Sequence, residues 1–247
     1  MNFSNATKAV PIRIAMLQFF NTFIGAPIIF GTTKYHVLEL LSIDERQMVM
    51  ADYRNRLIMG LAQVFEQENK PLFNVTITDI VSAAKVSKRT FYEHFTNKED
   101  CFLALYEQNS FHVLAKVIEA GLKNLSDQNP CLSKATDAIL NSYLEELLIQ
   151  SNLMTRLYID ILAIDQRGLE LRYFILYTFT QNIKRLPFPQ LEQISNTEIL
   201  LFLSGINELV LYHFHDTEFI KLEDLNKTIK NFIINFSNIY EKNISES

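Results

Sequence analysis

Across most of this chain the apolar residues recur at steps of three and four, and no stretch of convincing length alternates at a step of two. That spacing confines the fold to helices. Leu57, Leu61, Val64 and Phe65 continue a stripe begun at Tyr53, after a capping-box pattern at Ser42-Ile43-Asp44-Glu45, and Asn69, Lys70 and Pro71 stop it. Thr76-Ile77-Thr78-Asp79 opens a second, short helix. Lys85-Val86 break that helix, and Ser87 is placed to cap a third that runs to about Phe95. After Thr96-Asn97 a long helix carries Phe102, Leu105, Tyr106, Val113 and Val117 on one side. Further helices are expected over about 132–150, 153–165, 169–185 and 197–214, and a last one through Leu222, Leu225, Ile229, Phe232, Phe236 and Ile239. The fold class is all-α.

Glycine is scarce, with six residues at positions 25, 31, 60, 121, 168 and 205. Phosphate-cradling loops need glycines two to five apart, so neither a dinucleotide fingerprint nor a P-loop can be drawn. Two cysteines, Cys101 and Cys131, are too few for a disulfide framework or a cysteine-rich zinc site and fit a reducing cytoplasm. His213 and His215 are two apart, on different sides of a helix, so no metal site and no cofactor are expected. The charge is uneven. Residues 46–109 balance eight basic against eight acidic side chains, whereas residues 110–247 hold the whole net of −5. Within the first block, residues 76–98 are locally +2, a small basic element on an acidic body, which suits a localised anion contact.

The segment Thr76–Asn97, TITDIVSAAKVSKRTFYEHFTN, has the layout of a helix-turn-helix. Its apolar residues Ile77, Ile80, Val81, Ala84, Val86, Phe91 and Phe95 belong inside. Lys88, Arg89, Thr90, Tyr92 and His94 are left on the outward side of the second helix, where cations and hydroxyls suit a major groove. At Thr76-Ile77, Ile80-Val81, Ala84, Val86-Ser87, Thr90-Phe91-Tyr92, His94-Phe95 and Lys98-Glu99 the sequence resembles the TetR family of bacterial transcriptional regulators, over about residues 46–108. Gly205–Val210 is similar to the penultimate helix of some members. Two departures stand out. Lys85 occupies the turn position where the family has glycine, a site expected to need positive φ at a cost of about 1 kcal/mol. The loop from Phe65 to Thr76 lacks the family's glycine, carries Pro71 and is about two residues longer.

The resemblance implies that Thr76, Ser87, Tyr92 and Lys98 hold phosphates and that Lys88, Arg89, Thr90 and His94 face base edges or neighbouring phosphates. It implies three parts: an N-terminal extension (1–41), a three-helix DNA-binding domain (42–109) and a larger helical effector-binding and dimerisation domain (110–247). A helix apolar nearly all round (about 197–214) must be covered on every side. The 3-4 repeat of the last helix makes a bundle seam. Leu203, Gly205, Leu209, Ile229, Phe232, Phe236 and Ile239 are therefore expected at a homodimer interface. Tyr143, Tyr158, Arg156, Arg172, Tyr173, Phe174, Tyr177 and Gln181 sit at spacings that suit a cavity lining and equally suit plain core, so no ligand residue is assigned.

The reading is a sequence-specific, homodimeric DNA-binding regulator in the cytoplasm, a repressor released from double-stranded operator DNA by a small-molecule effector. Two rivals belong to other classes. An all-α enzyme would need a converging nucleophile and base, and five scattered histidines offer none, so no enzyme is expected. A helical lipid or interaction module would use Ile14–Phe30 as a membrane-associating element. Gln18, Asn21, Gly25 and Pro27 interrupt that span, which favours an element packed on the domain or a start preceding Met48.

Overall fold

The computed structural model describes residues 45–123, 132–216, 218–221 and 224–232, and these contain helices and turns but no strand. The chain divides into two compact units, 1–56 and 57–247. Of the first, the described part is 45–56, the opening turns of α1 (Glu45–Glu68), where the Arg56 guanidinium carbon lies 5.5 Å from the Tyr53 ring centre. The expected cap at Ser42 and the apolar stretch Ile14–Phe30 lie outside the described residues.

In the second unit α1 continues with Leu57, Leu61 and Phe65 fully buried, as their three-four spacing requires. It ends at Asn69, whose positive φ of 45° turns the chain, and a 3-10 turn, Leu72–Asn74, follows. Helix α2 (Ile77–Ala84) opens on a complete capping box: Thr76 Oγ1 accepts the Asp79 N–H and the Asp79 carboxylate accepts the Thr76 N–H. It ends at Lys85, with φ 54° and ψ 48°. The Lys85 N–H donates to the Ser82 carbonyl and the Val86 N–H to the Val81 carbonyl, a Schellman turn built on a lysine. Helix α3 (Lys88–His94) is capped by Ser87, and α4 (Lys98–Lys123) follows. Gly60 is where α1 meets α2. A Cβ there would stand 2.9 Å from the Cβ and backbone nitrogen of Ala84 and from the Ile80 carbonyl oxygen.

Helix α4 runs unbroken across the expected boundary at 109/110, and one hydrophobic core continues from Leu57 to Ile229. Around its second half lie α5 (Leu132–Ile149), α6 (Ser151–Asp160), α7 (Gln166–Lys184), a short α8 (Pro189–Gln193), α9 (Asn196–His215) and a helical segment over 224–232. The helix expected over 153–165 stops five residues early, because Asp165 caps the next one by accepting the Arg167 N–H. The Pro-Phe-Pro break contains α8, which begins at Pro189 since proline is pre-set for a helix's first position.

Candidate functional site

Buried Phe91 holds α3 to the core and stacks edge-on against Tyr92, with ring centres 5.6 Å apart. Its other side chains divide by exposure. Lys88, Arg89 and Tyr92 are exposed, while Thr90 and His94 are half-buried. Arg89 is 89% exposed and held only by Glu93 one turn on, with Nε 3.1 Å from Oε1. Water screens such a pair, which is worth a few tenths of a kcal/mol and yields to a stronger acceptor. Ser87 accepts the Thr90 N–H at 3.0 Å, and the two hydroxyls are hydrogen-bonded at 2.9 Å. One of these two protons lies in the shared bond and the other remains to donate. Thr76 is exposed at the start of α2, where both its N–H and its hydroxyl act on the Asp79 carboxylate. Thr76, Ser87, Lys88, Arg89, Thr90, Tyr92 and His94 thus all lie on α2, α3 and the turn between them.

Lys98 differs from its expectation. Its ammonium donates to the carbonyls of Leu72, Phe73 and Val75, each at 2.9 Å. An ammonium has three N–H donors, so none remains for a phosphate in this arrangement. Lys98 instead ties down the long loop whose path the missing glycine made hard to read. Lys70 works on the same loop from the other side: its ammonium is 2.9 Å from Asp79, and that hydrogen bond, ahead of those from Thr76, holds the Asp79 carboxyl below its usual range.

A second feature lies between α4, α5, α6, α7 and α9: a cavity of about 190 Å³ with a mostly apolar wall. Of the residues whose spacing suited a cavity, Tyr143, Tyr158 and Arg172 line it. Tyr173 and Tyr177 point to solvent, Phe174 packs edge-on against Phe111, and Arg156 pairs with Asp160 at 3.6 Å. Tyr106, Asn109 and Ser110 on α4, with Thr136, Glu198 and Asn207, complete the polar part. Spacing alone placed Tyr106 in the α4 core stripe. Burial pushes its hydroxyl up to about 12 and raises those of Tyr143 and Tyr158 as well, so all three are neutral donors near pH 7.

Helix α6 joins the two features. Met154, Leu157 and Tyr158 face the cavity. At its start, the Glu66 carboxylate of α1 accepts the Leu153 N–H at 3.0 Å and the Glu66 carbonyl accepts Asn152 Nδ2 at 2.9 Å. At its end, Asp160 accepts the buried Leu72 N–H at 2.8 Å. The Asp160 carboxyl lies above the usual range because burial outweighs the Leu72 and Arg156 contacts. An Arg167–Asp100 ion pair ties α7 to the start of α4 as well.

The profile of bacterial regulatory proteins of the tetR family matches residues 68–105, which run from the end of α1 through the 3-10 turn, α2 and α3 into the first two turns of α4. Those residues are a tetR-family DNA-binding domain. Three solved structures are similar to the chain beyond it. A TetR-family regulator from Syntrophomonas wolfei is 19% identical over 76% of this chain and 95% of its own, with a TM-score of 0.57. The fatty acid degradation regulator FadR from Bacillus halodurans is 14% identical over 72% and 93%, at 0.56. A TetR transcriptional regulator from Rhodococcus sp. RHA1 is 14% identical over 74% and 94%, at 0.53. These likenesses concern the fold, that of a helix-turn-helix domain carried on a helical body. Among curated proteins, no sequence matches.

The expected dimer residues separate in the structure. Leu203 and Ile229 are buried in the chain's own core, with Leu203 against the cavity, and Leu209 packs on the same core. Leu203 and Ile229, already covered by their own chain, have little surface left for a partner, whereas Leu209 is half-buried. Gly205 and Phe232 are exposed, with Phe232 stacked on Phe202 at 5.8 Å. Phe236 and Ile239 lie outside the described residues. The outward face of α9 is Leu201, Gly205, Glu208 and Tyr212, at steps of four, three and four. No described helix is long and apolar enough to cross a membrane, and no group of three described His, Cys, Asp or Glu residues could hold a metal ion.

Proposed function

We propose that the chain is a homodimeric transcriptional repressor that reads operator DNA with α3 and releases it when a small molecule fills the cavity. Arg89 and Lys88 would reach guanine edges or phosphates, and Thr76, Ser87 and Tyr92 would fix the register on the backbone. Two copies would meet through Leu201, Gly205 and Tyr212. A seven-residue recognition helix reads few base pairs, so a second half-site supplies the specificity.

The observation that carries the reading is α6, which lines the cavity with one face and is hydrogen-bonded at both ends to the DNA-binding part. A ligand that displaces Tyr158 or Leu157 would move the Leu153 and Asp160 contacts, and with them the loop that Lys98 anchors. Footprinting the purified protein on the DNA upstream of its own gene tests the proposal. Two protected half-sites about one helical turn apart are expected. Protection no stronger on that DNA than on unrelated duplex would refute it.

A further inference from the structure

We propose that the cavity binds a monocarboxylate with an apolar body, its carboxylate held by Arg172 and by the hydroxyl pair of Tyr143 and Tyr158. This rests on the ligand-released reading and names the class of that ligand. The wall is made mainly of side chains such as Ile139, Leu140, Leu176 and Phe202, which exclude a sugar or a nucleotide. The volume of about 190 Å³ exceeds the roughly 150 Å³ of a cavity that holds one benzene ring, so the body is larger than a single six-membered ring.

The polar groups gather in one neighbourhood, supplied by four helices. Arg172 of α7 acts electrostatically on both Tyr106 of α4 and Tyr158 of α6, and Tyr158 is hydrogen-bonded to Tyr143 of α5. Counting protons shows what is missing. The Tyr143–Tyr158 pair has two hydroxyl protons and one shared bond, which leaves one proton without an acceptor in that pair. The Tyr106 hydroxyl is bonded to Ser110. Arg172 brings up to five N–H donors and has no ion-pair partner among the described residues. The one carboxylate in the wall, Glu198, accepts the Ser195 N–H and hydroxyl as the cap of α9. The remaining polar wall residues Asn109, Thr136 and Asn207 are neutral, so the neighbourhood is rich in donors, carries the positive charge of Arg172, and has no carboxylate besides the capping Glu198 to balance it.

A planar carboxylate answers all three conditions, since guanidinium binds it through two parallel hydrogen bonds and its charge of −1 matches one arginine. A dianionic phosphate would bring more charge than one arginine balances, and an amine would be repelled.

Isothermal titration of the full chain with octanoate, octanol, octylamine and octyl phosphate tests this. Octanoate is expected to bind one per chain, about tenfold or more tighter than octanol, with octylamine not binding. Arg172→Met, with its helical circular dichroism intact, should weaken octanoate by about 10- to 100-fold and leave octanol nearly unchanged. Arg172→Lys should recover part of the loss. Octanol equal to octanoate, octyl phosphate tighter than octanoate, or no binding by any of the four would overturn the proposal. The head-group comparison uses the unaltered protein, so it stands even where a variant folds poorly. Octanoate that binds without releasing DNA would sink the release mechanism and leave the site assignment intact.

Discussion

Replacing Gly60 with alanine adds one methyl at the crossing of α1 and α2, where the space is already taken. The new Cβ would meet three atoms at 2.9 Å, and two of them, the Ala84 nitrogen and the Ile80 oxygen, belong to the backbone. Ordinary carbon contacts need more than half an ångström beyond that, and no rotamer change can supply it, so the helices must separate. Overpacking of this kind costs about 1–3 kcal/mol, and well-anchored backbone on both sides points to the upper part of that range. Against it stands the helix propensity of alanine over glycine, worth about 1 kcal/mol. The net expectation is a destabilisation of about 1–2 kcal/mol, which for a chain of this length lowers Tm by roughly 2–8 °C. Because α2 sets the position of α3, DNA affinity should fall as well. Urea denaturation gives the midpoint and slope, and fluorescence anisotropy gives the DNA affinity. A Gly60→Ala protein that is more stable than the parent, as propensity alone predicts, would refute the close-packing argument.

Three further outcomes follow from the structure. Lys85→Gly relieves an L-residue at positive φ and should raise stability by up to about 1 kcal/mol in urea denaturation, less the entropy glycine adds to the unfolded chain; a loss would mean the lysine side chain makes a contact of greater value. Lys98→Met removes three bonds to loop carbonyls and should cost about 1–3 kcal/mol while leaving the salt dependence of DNA binding unchanged; a log–log slope reduced by about two per dimer would restore the phosphate role. Leu201→Asp changes a side chain that is 72% exposed on the single chain, so folding should shift by no more than about 0.5 kcal/mol, yet sedimentation should show a monomer; a dimer of normal mass would move the seam elsewhere.

Local rules made the DNA-binding part readable. Thr76 and Ser87 announce their caps within four residues, and the left-handed turn at Lys85 follows from where α2 must end and α3 begin. Lys98 could not be read in the same way. Its acceptors are carbonyls 23 to 26 residues back, in a loop whose shape no local pattern encodes. The apolar run that holds Leu203 and Leu209 and the three-four repeat through Leu225, Ile229 and Phe232 mark helices, but apolar spacing does not fix which side faces a partner. Burial decides that, and it turns Leu203 and Ile229 inward while leaving Leu201 and Tyr212 outside. The cavity was legible only as a set of candidates. Tyr143, Tyr158 and Arg172 meet because three helices cross, whereas Tyr173, one residue from Arg172, points to solvent. The ties of α6 to Glu66 and to Leu72 join residues 86 to 88 apart, and neither the Glu66 nor the Asp160 carboxylate stood in any motif.

The central claim is that the exposed face of α3 reads base sequence. The most direct measurement is anisotropy titration of the footprinted duplex and a scrambled duplex of equal length, across a salt series, for the parent protein and for Arg89→Ala. The parent should prefer its own site by about a thousandfold or more, with affinity falling linearly on a log–log salt plot. Arg89→Ala, which removes a side chain that is 89% exposed, should leave folding intact and lose about 1–3 kcal/mol of preference at particular base pairs. Equal binding of both duplexes by the parent, or an Arg89→Ala protein with undiminished preference at every position, would contradict it.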